Sequence, residues 1–221
     1  MAKVCVVLSG CGVFDGSEIH EAVLTMYFLD KYGAELLIAA PNIEQMHVVN
    51  HLTGEVTEGE SRNVLVESAR IARGNIRDLK DVKVDDFDAL IFPGGFGAAK
   101  NLTTFAVDGV DCNIDLEVKR IVKETVEAKK PLAAICIAPV LIAKALEGTG
   151  IKSKITIGTD ENVASAIKNL GATHISCPVK EAVVDEENKI ITTPAYMLGQ
   201  RISEVAEGIE KTVKQLLDFI K

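Results

Sequence analysis

Cys136 stands in "AAICIAPVLIAKAL" (133–146), between Ala134 and Ala138, where an apolar run passes into a helical pattern. A nucleophile on a sharp strand-to-helix turn needs small residues two before and two after it, because strand and helix cross closely there. Ala134-Ile135-Cys136-Ile137-Ala138 meets that rule. Pro139 presets the first helical turn, and the free N–H groups of a helix start favour a thiolate, so a depressed Cys136 pKa is expected. The same residues also fit a buried structural cysteine. A second pattern tips the balance: "LIFPGGFGAAKNL" (90–102) is a buried run ending in Pro-Gly-Gly. Adjacent glycines at the carboxyl end of a strand let backbone N–H groups turn toward a cavity and stabilise an oxyanion, which nominates Gly94 and Gly95 together with the N–H of Ile137.

Two carboxylates are candidates to work with the thiol. Glu18 and Glu21 follow the glycine loop "SGCGVFDGSEIHEAVL" and open a helix whose Ile19, Val23, Leu24, Met26 and Phe28 make it apolar nearly all round. A helix of that kind is expected to be covered on several sides, and a partly buried glutamate has a raised pKa that lets it hold a proton near neutrality. Glu18 also fits a first-turn acid at the positive end of the helix, Glu21 less well. Cys11, in the loop, is a candidate pocket residue. His174, in "GATHISCPV", is a candidate base at the sheet's carboxyl edge. "ITTPAYMLGQ" (191–200) ends a strand and is expected to form pocket wall.

Other chemistries fit less well. Gly10, Gly12 and Gly16 are spaced G-x-G-x-x-x-G, and no acid ends the second strand, so a dinucleotide site is not expected. The four histidines form no metal-ligand pair with an acid, and no metal or cofactor is expected. Acidic residues outnumber basic ones 32 to 24 for a formal charge of −8, with no basic stripe, so nucleic acid is not an expected partner. No run approaches a membrane span. Five cysteines without a C-x-x-C pair, mostly in apolar segments, suggest reduced thiols and a cytoplasmic protein.

These residues need a scaffold. Short β-branched runs alternate with helical patterns, so an α/β fold is expected: a doubly wound, mostly parallel sheet sandwiched by helices. Strands are predicted over 3–8, 35–39, 89–92, 132–135 and 155–157, and helices over 17–32, 64–72, 114–128, 139–146, 161–170 and 200–220. "VVDEENKIIT" (183–192) reads as a small edge hairpin. The polar stretch 41–62 is long enough to roof a pocket or meet a second subunit. No linker or repeat interrupts 1–221, so one domain is expected.

The blocks "SGCGVFDGSEIHEAVL", "NHLTGE", "ARIARG", "PGGFGAAKNL", "CIAP", "IGTD", "CPV" and "TTPAYML" resemble, along essentially the whole chain, the DJ-1/PfpI superfamily. The closest resemblance is to its ElbB-type branch, glyoxalase-like proteins also named for enhancing lycopene biosynthesis. The resemblance implies a flavodoxin-like, class I glutamine amidotransferase-like fold and a homodimer. It also implies a cofactor-free reaction in which Cys136 attacks a small carbonyl substrate such as methylglyoxal or glyoxal, with a link to isoprenoid biosynthesis. It places the thiol's glutamate partner at Glu21, with Glu18 as the alternative, and the oxyanion donors at Gly94, Gly95 and Ile137. A regulatory or redox-sensing protein and an amidotransferase-like subunit are the alternatives. Ile137 follows the nucleophile where peptidase-like and amidotransferase-like relatives often carry His or Gly, and no histidine stands in "SKITIGTD", so a third catalytic residue is unassigned.

Overall fold

The computed structural model describes residues 1–220. Its strands are β1 (Lys3–Val7), β2 (Glu35–Ala40), β3 (Val49–Asn50), β4 (Glu55–Val56), β5 (Arg77–Asp78), β6 (Ala89–Phe92), β7 (Leu132–Ile135), β8 (Lys154–Ile155), β9 (Thr173–His174), β10 (Val183–Asp185) and β11 (Ile190–Thr193). Its helices are α1 (Ile19–Lys31), α2 (Val64–Ile71), α3 (Phe96–Lys100), α4 (Phe105–Asp108), α5 (Leu116–Glu127), α6 (Pro139–Leu146), α7 (Glu161–Asn169) and α8 (Ile202–Asp218). Seven strands form the main sheet in the order β10-β11-β7-β6-β1-β2-β5. All pairings in it are parallel except that of β10 with β11, the expected edge hairpin.

Successive side chains of a strand point to opposite faces, so buried parallel strands feed two cores. Cys5, Leu90, Phe92, Leu132 and Ala134 pack with Val118, Ile121 and Val122 of α5 and with α6. Val4, Val6, Ile91, Ala133 and Ile135 pack with Ala22, Phe28 and Leu29 of α1 and Val205, Ile209 and Val213 of α8. The fold is thus the flavodoxin-like sandwich, with β1, β6 and β7 at its centre and their carboxyl ends side by side.

Two expectations are corrected. The run over 155–157 does not join the main sheet: β8 pairs in parallel with β9 in a separate ribbon. The reason lies in side chains that take over the ladder, since Lys154 N donates to Asp185 Oδ2 (2.8 Å) and Thr156 N to Thr192 Oγ1 (2.9 Å). Helix α1 is covered on several sides, by α8, β2 and α2, but not all round: Ile19, Val23 and Tyr27 form an exposed stripe at 44%, 47% and 54%. The stretch 41–62 contributes nothing to the cavity at Cys136. Instead it carries β3 and β4, and the ring of His51 fastens it to the glycine loop, with Nε2 accepting from Phe14 N and Nδ1 donating to Val49 O.

Candidate active site

The elbow at Cys136 is visible in the backbone. Cys136 has φ +64, a left-handed conformation that a non-glycine residue adopts at a cost and keeps only where its surroundings hold it. Its N–H donates to Thr193 O (2.9 Å), and Ala138 N donates to Ile135 O (3.0 Å), so β11 and the start of α6 fix both sides of the turn. Pro139 occupies the first turn of α6, whose first orphan donors it reduces by one.

The glycine loop delivers the glutamate. Ser9 N donates to Ser17 Oγ (2.9 Å), and Asn101 Nδ2 donates to Ser9 O and Asp15 O (both 2.9 Å), which folds residues 9–17 into a buried shelf. Glu18 ends that shelf as the N-cap of α1, its Oε2 accepting from Glu21 N (2.7 Å). Three residues on, Glu21 points inward and is fully buried. Its carboxylate is held at both oxygens: Gly94 N donates to Oε2 (3.0 Å) and Tyr196 N to Oε1 (3.1 Å). The Cys136 side chain lies beside the same carboxylate, both of them against Gly94, and the two groups shift each other's pKa. Of the two candidate acids, Glu21 therefore meets the sulfur, and Glu18 caps the helix while lining the cavity above it.

Gly94 has no room for a side chain. A Cβ there would fall on the Cβ of Cys136 and on Oε2 of Glu21, so glycine is required by proximity. Gly94 O also accepts from Glu18 N (2.9 Å), which ties the end of β6 to the start of α1. Gly95 has φ +101, and a Cβ there would collide with Glu18 N and Gly16 O. The three backbone donors divide their work. The N–H groups of Gly95 and Ile137 act on the Cys136 thiol and pull its pKa down. Gly94 N–H is committed to Glu21, so the expected oxyanion role of Gly94 is corrected to that of holding the carboxylate.

The electrostatics follow from burial. Glu21 is pushed up to about 8, chiefly because burial penalises its charge, with the Glu18 carboxylate adding to the rise and the Tyr196, Cys136 and Gly94 hydrogen bonds opposing it. Burial likewise pushes the Cys136 thiol well above its usual range, followed by the Glu21 charge, against the pull of the Gly95 and Ile137 N–H groups. The expected low thiol pKa is thus corrected: a helix start lies beside the sulfur, but desolvation outweighs it. The Glu21 contribution depends on its own proton. An ionised Glu21 repels a thiolate, whereas a protonated Glu21 donates to one, so the pair titrates as a unit.

The remaining candidates lie elsewhere. His174 sits in another depression with Ser165 and Lys168, its Nε2 accepting from Ile157 N (3.3 Å), and burial, then Lys168, lower its pKa. It is no base for Cys136. Cys11 lies outside the cavity, and its thiol is pushed up by burial and then by Glu67. Tyr196 fulfils the expectation of pocket wall and does more, since its main chain holds Glu21 and its hydroxyl pairs with His20 Nδ1 (2.8 Å). Ala195, at φ +44 and fully buried, sets the turn that aims this N–H. Sequence patterning gave no role to His20. Among the described residues no three His, Cys, Asp or Glu side chains gather in a way that could hold a metal ion.

The strand order, the strained elbow and the buried glutamate coincide with a match of residues 3–197 to the DJ-1/PfpI family model. The chain belongs to the DJ-1/PfpI family. It is 50% identical to human "Glutamine amidotransferase-like class 1 domain-containing protein 3, mitochondrial", over 99% of this chain and 83% of that one. A crystal structure of an isoprenoid biosynthesis protein with an amidotransferase-like domain from Ehrlichia chaffeensis superposes with a TM-score of 0.94 at 40% identity, covering all of both chains. Glyoxalase III from Candida albicans shares the fold, with a TM-score of 0.65 at 18% identity over 100% of this chain and 98% of that one. The expectation of a cytoplasmic protein is overturned, because the curated relatives at 50% and 37% identity are named mitochondrial. Reduced cysteines do not distinguish one reducing compartment from another.

Proposed function

We propose that this family member is a cofactor-free glyoxalase-like enzyme that converts a 2-oxoaldehyde to a 2-hydroxy acid through Cys136. The observation that carries the reading is the buried Cys136–Glu21 pair at the strained elbow, with Gly95 and Ile137 N–H groups acting on the thiol. The sulfur bonds to the aldehyde carbon, the carbonyl electron pair moves to oxygen, and the thiol proton ends there, giving a hemithioacetal. Glu21 then takes the proton from that carbon and the neighbouring carbonyl carbon regains one, through an enediol, to leave a thioester. Water hydrolyses the thioester, releasing the hydroxy acid and restoring the thiol. A carboxyl whose pKa lies near 8 is suited to both halves of the transfer, and backbone donors beside the sulfur can hold charge that develops on oxygen.

The amidotransferase reading suggested by the relatives' names finds less support, because among the described residues no histidine lines the cavity at Cys136. The glyoxalase reading is tested by lactate formation from methylglyoxal. Cys136→Ser is expected to lose at least a hundredfold in kcat/KM and Glu21→Gln a comparable amount. Unchanged lactate formation in Cys136→Ser sinks the mechanism.

A further inference from the structure

The cavity over Cys136 encloses about 310 Å³. Cys136, Glu18 and Tyr196 line it together with a mostly apolar wall that includes Phe96, Phe105, Ala106, Val163 and Met197. Among the described residues, no Lys, Arg or His contributes to it. A water molecule's share of liquid volume is about 30 Å³, so the cavity has room for roughly ten waters, and a three-carbon dicarbonyl bound at the sulfur would leave more than half of it unfilled. That remainder is bounded by phenyl rings, a thioether and methyl groups, which gain by contact with apolar substrate atoms and nothing by contact with water. An anionic substituent would enter the same space beside the Glu18 carboxylate without any cation to meet it.

We propose that this protein acts on uncharged carbonyl compounds bearing an aryl or medium-length alkyl substituent, and that Phe96, Phe105, Val163 and Met197 set this preference. The proposal rests on Cys136 as the group that attacks the carbonyl. The substituent packs against these apolar side chains while the aldehyde carbon faces the sulfur. The bond-forming step is unchanged: the S–C bond forms, the carbonyl electron pair goes to oxygen, and the thiol proton follows it, with no co-reactant.

Two measurements on the purified chain separate the substrate class from the reaction. In the first, kcat/KM for phenylglyoxal is expected to exceed that for methylglyoxal at least tenfold, and Ala106→Trp, which puts an indole into the cavity from its wall, is expected to reduce that ratio at least fivefold. A ratio of one or below, or a ratio that Ala106→Trp leaves intact, overturns the proposal. In the second, Cys136 is alkylated with iodoacetamide at mildly alkaline pH and read by peptide mass spectrometry, so no turnover is needed. Acetophenone is expected to protect Cys136 at concentrations at least tenfold lower than acetone or benzoate. Equal protection by acetone or benzoate overturns the proposal even if methylglyoxal is turned over. Absence of turnover with both oxoaldehydes, alongside selective protection by acetophenone, rejects the glyoxalase reading and leaves the ligand class supported.

Discussion

Cys136 and Glu21 share protons in a site that burial makes reluctant to hold charge. Below pH 7 both groups carry protons, and the first proton lost gives a monoanion that hydrogen-bonds within the pair. Turnover is therefore expected to rise as pH passes through about 8, and kcat/KM against pH for wild type and Glu21→Gln checks it, the rise moving to higher pH in the variant. Stability carries the opposite sign. Glu21 has a folded pKa raised above that of an unfolded carboxyl, so the native state binds the extra proton, and stability falls as pH rises from about 4.5 through about 8. Glu21→Gln removes that fall, although it loses one acceptor for Gly94 N or Tyr196 N and should be less stable by about 1–3 kcal/mol in acid. Denaturant midpoints at pH 5.5 and 9 distinguish the two effects. Gly94→Ala forces a methyl onto Cys136 and Glu21 and is expected to abolish turnover at a stability cost of about 3 kcal/mol; a variant with wild-type activity would show that the pair tolerates displacement. The sequence made Cys136 legible through its small neighbours, and Glu21 through its place in an apolar helix. It left unread the commitment of Gly94 N–H to the carboxylate and the role of Tyr196 N–H, because which way a backbone N–H points depends on φ and ψ at Gly95 and Ala195, not on residue type.

At the scale of elements, periodicity located β1, β2, β6, β7 and helices α1, α2, α5, α6, α7 and α8 within a few residues, and it missed the short α3 and α4. It failed at β8, where the apolar run over 155–157 reads as a sheet strand. The buried Asp185 carboxylate takes Lys154 N, Asn188 N and Asn188 Nδ2, so the chain there is fastened to a hairpin by a side chain instead of a ladder. No alternation of apolar residues encodes such a clasp. Asp185→Ala leaves Lys154 N without its partner and should cost about 1–3 kcal/mol. The loss is expected to be local: hydrogen exchange at Ile175, whose N–H donates to Ile155 O, should accelerate while the amides of β6 and β7 stay protected. Equal acceleration in β6 and β7 would mean that the ribbon is part of the main cooperative unit. Helix α1 shows the other limit of patterning: its apolar residues divide between a buried face carrying Glu21 and the exposed Ile19, Val23 and Tyr27, and composition alone does not tell which is which.

For the whole molecule, the order β11-β7-β6-β1 brings together segments far apart in the chain. The tail of β6 supplies Gly94 and Gly95, the tail of β7 supplies Cys136, the loop after β1 leads to Glu21, and the tail of β11 leads to Tyr196. Doubly wound sheets form their crevices at the carboxyl ends of such strands, so the site follows from topology once the strand order is known. Two apolar cores hold those strand ends in register, which lets a left-handed cysteine and a buried acid persist. The central claim, that this scaffold makes Cys136 a nucleophile toward carbonyls, is tested most directly by acid-quenching the protein during turnover of methylglyoxal and mapping the bound mass by peptide mass spectrometry. The account predicts one added methylglyoxal on the peptide containing Cys136, lost when substrate is exhausted and absent in Cys136→Ser. Lactate formed with no adduct at Cys136, or formed equally by Cys136→Ser, would contradict it.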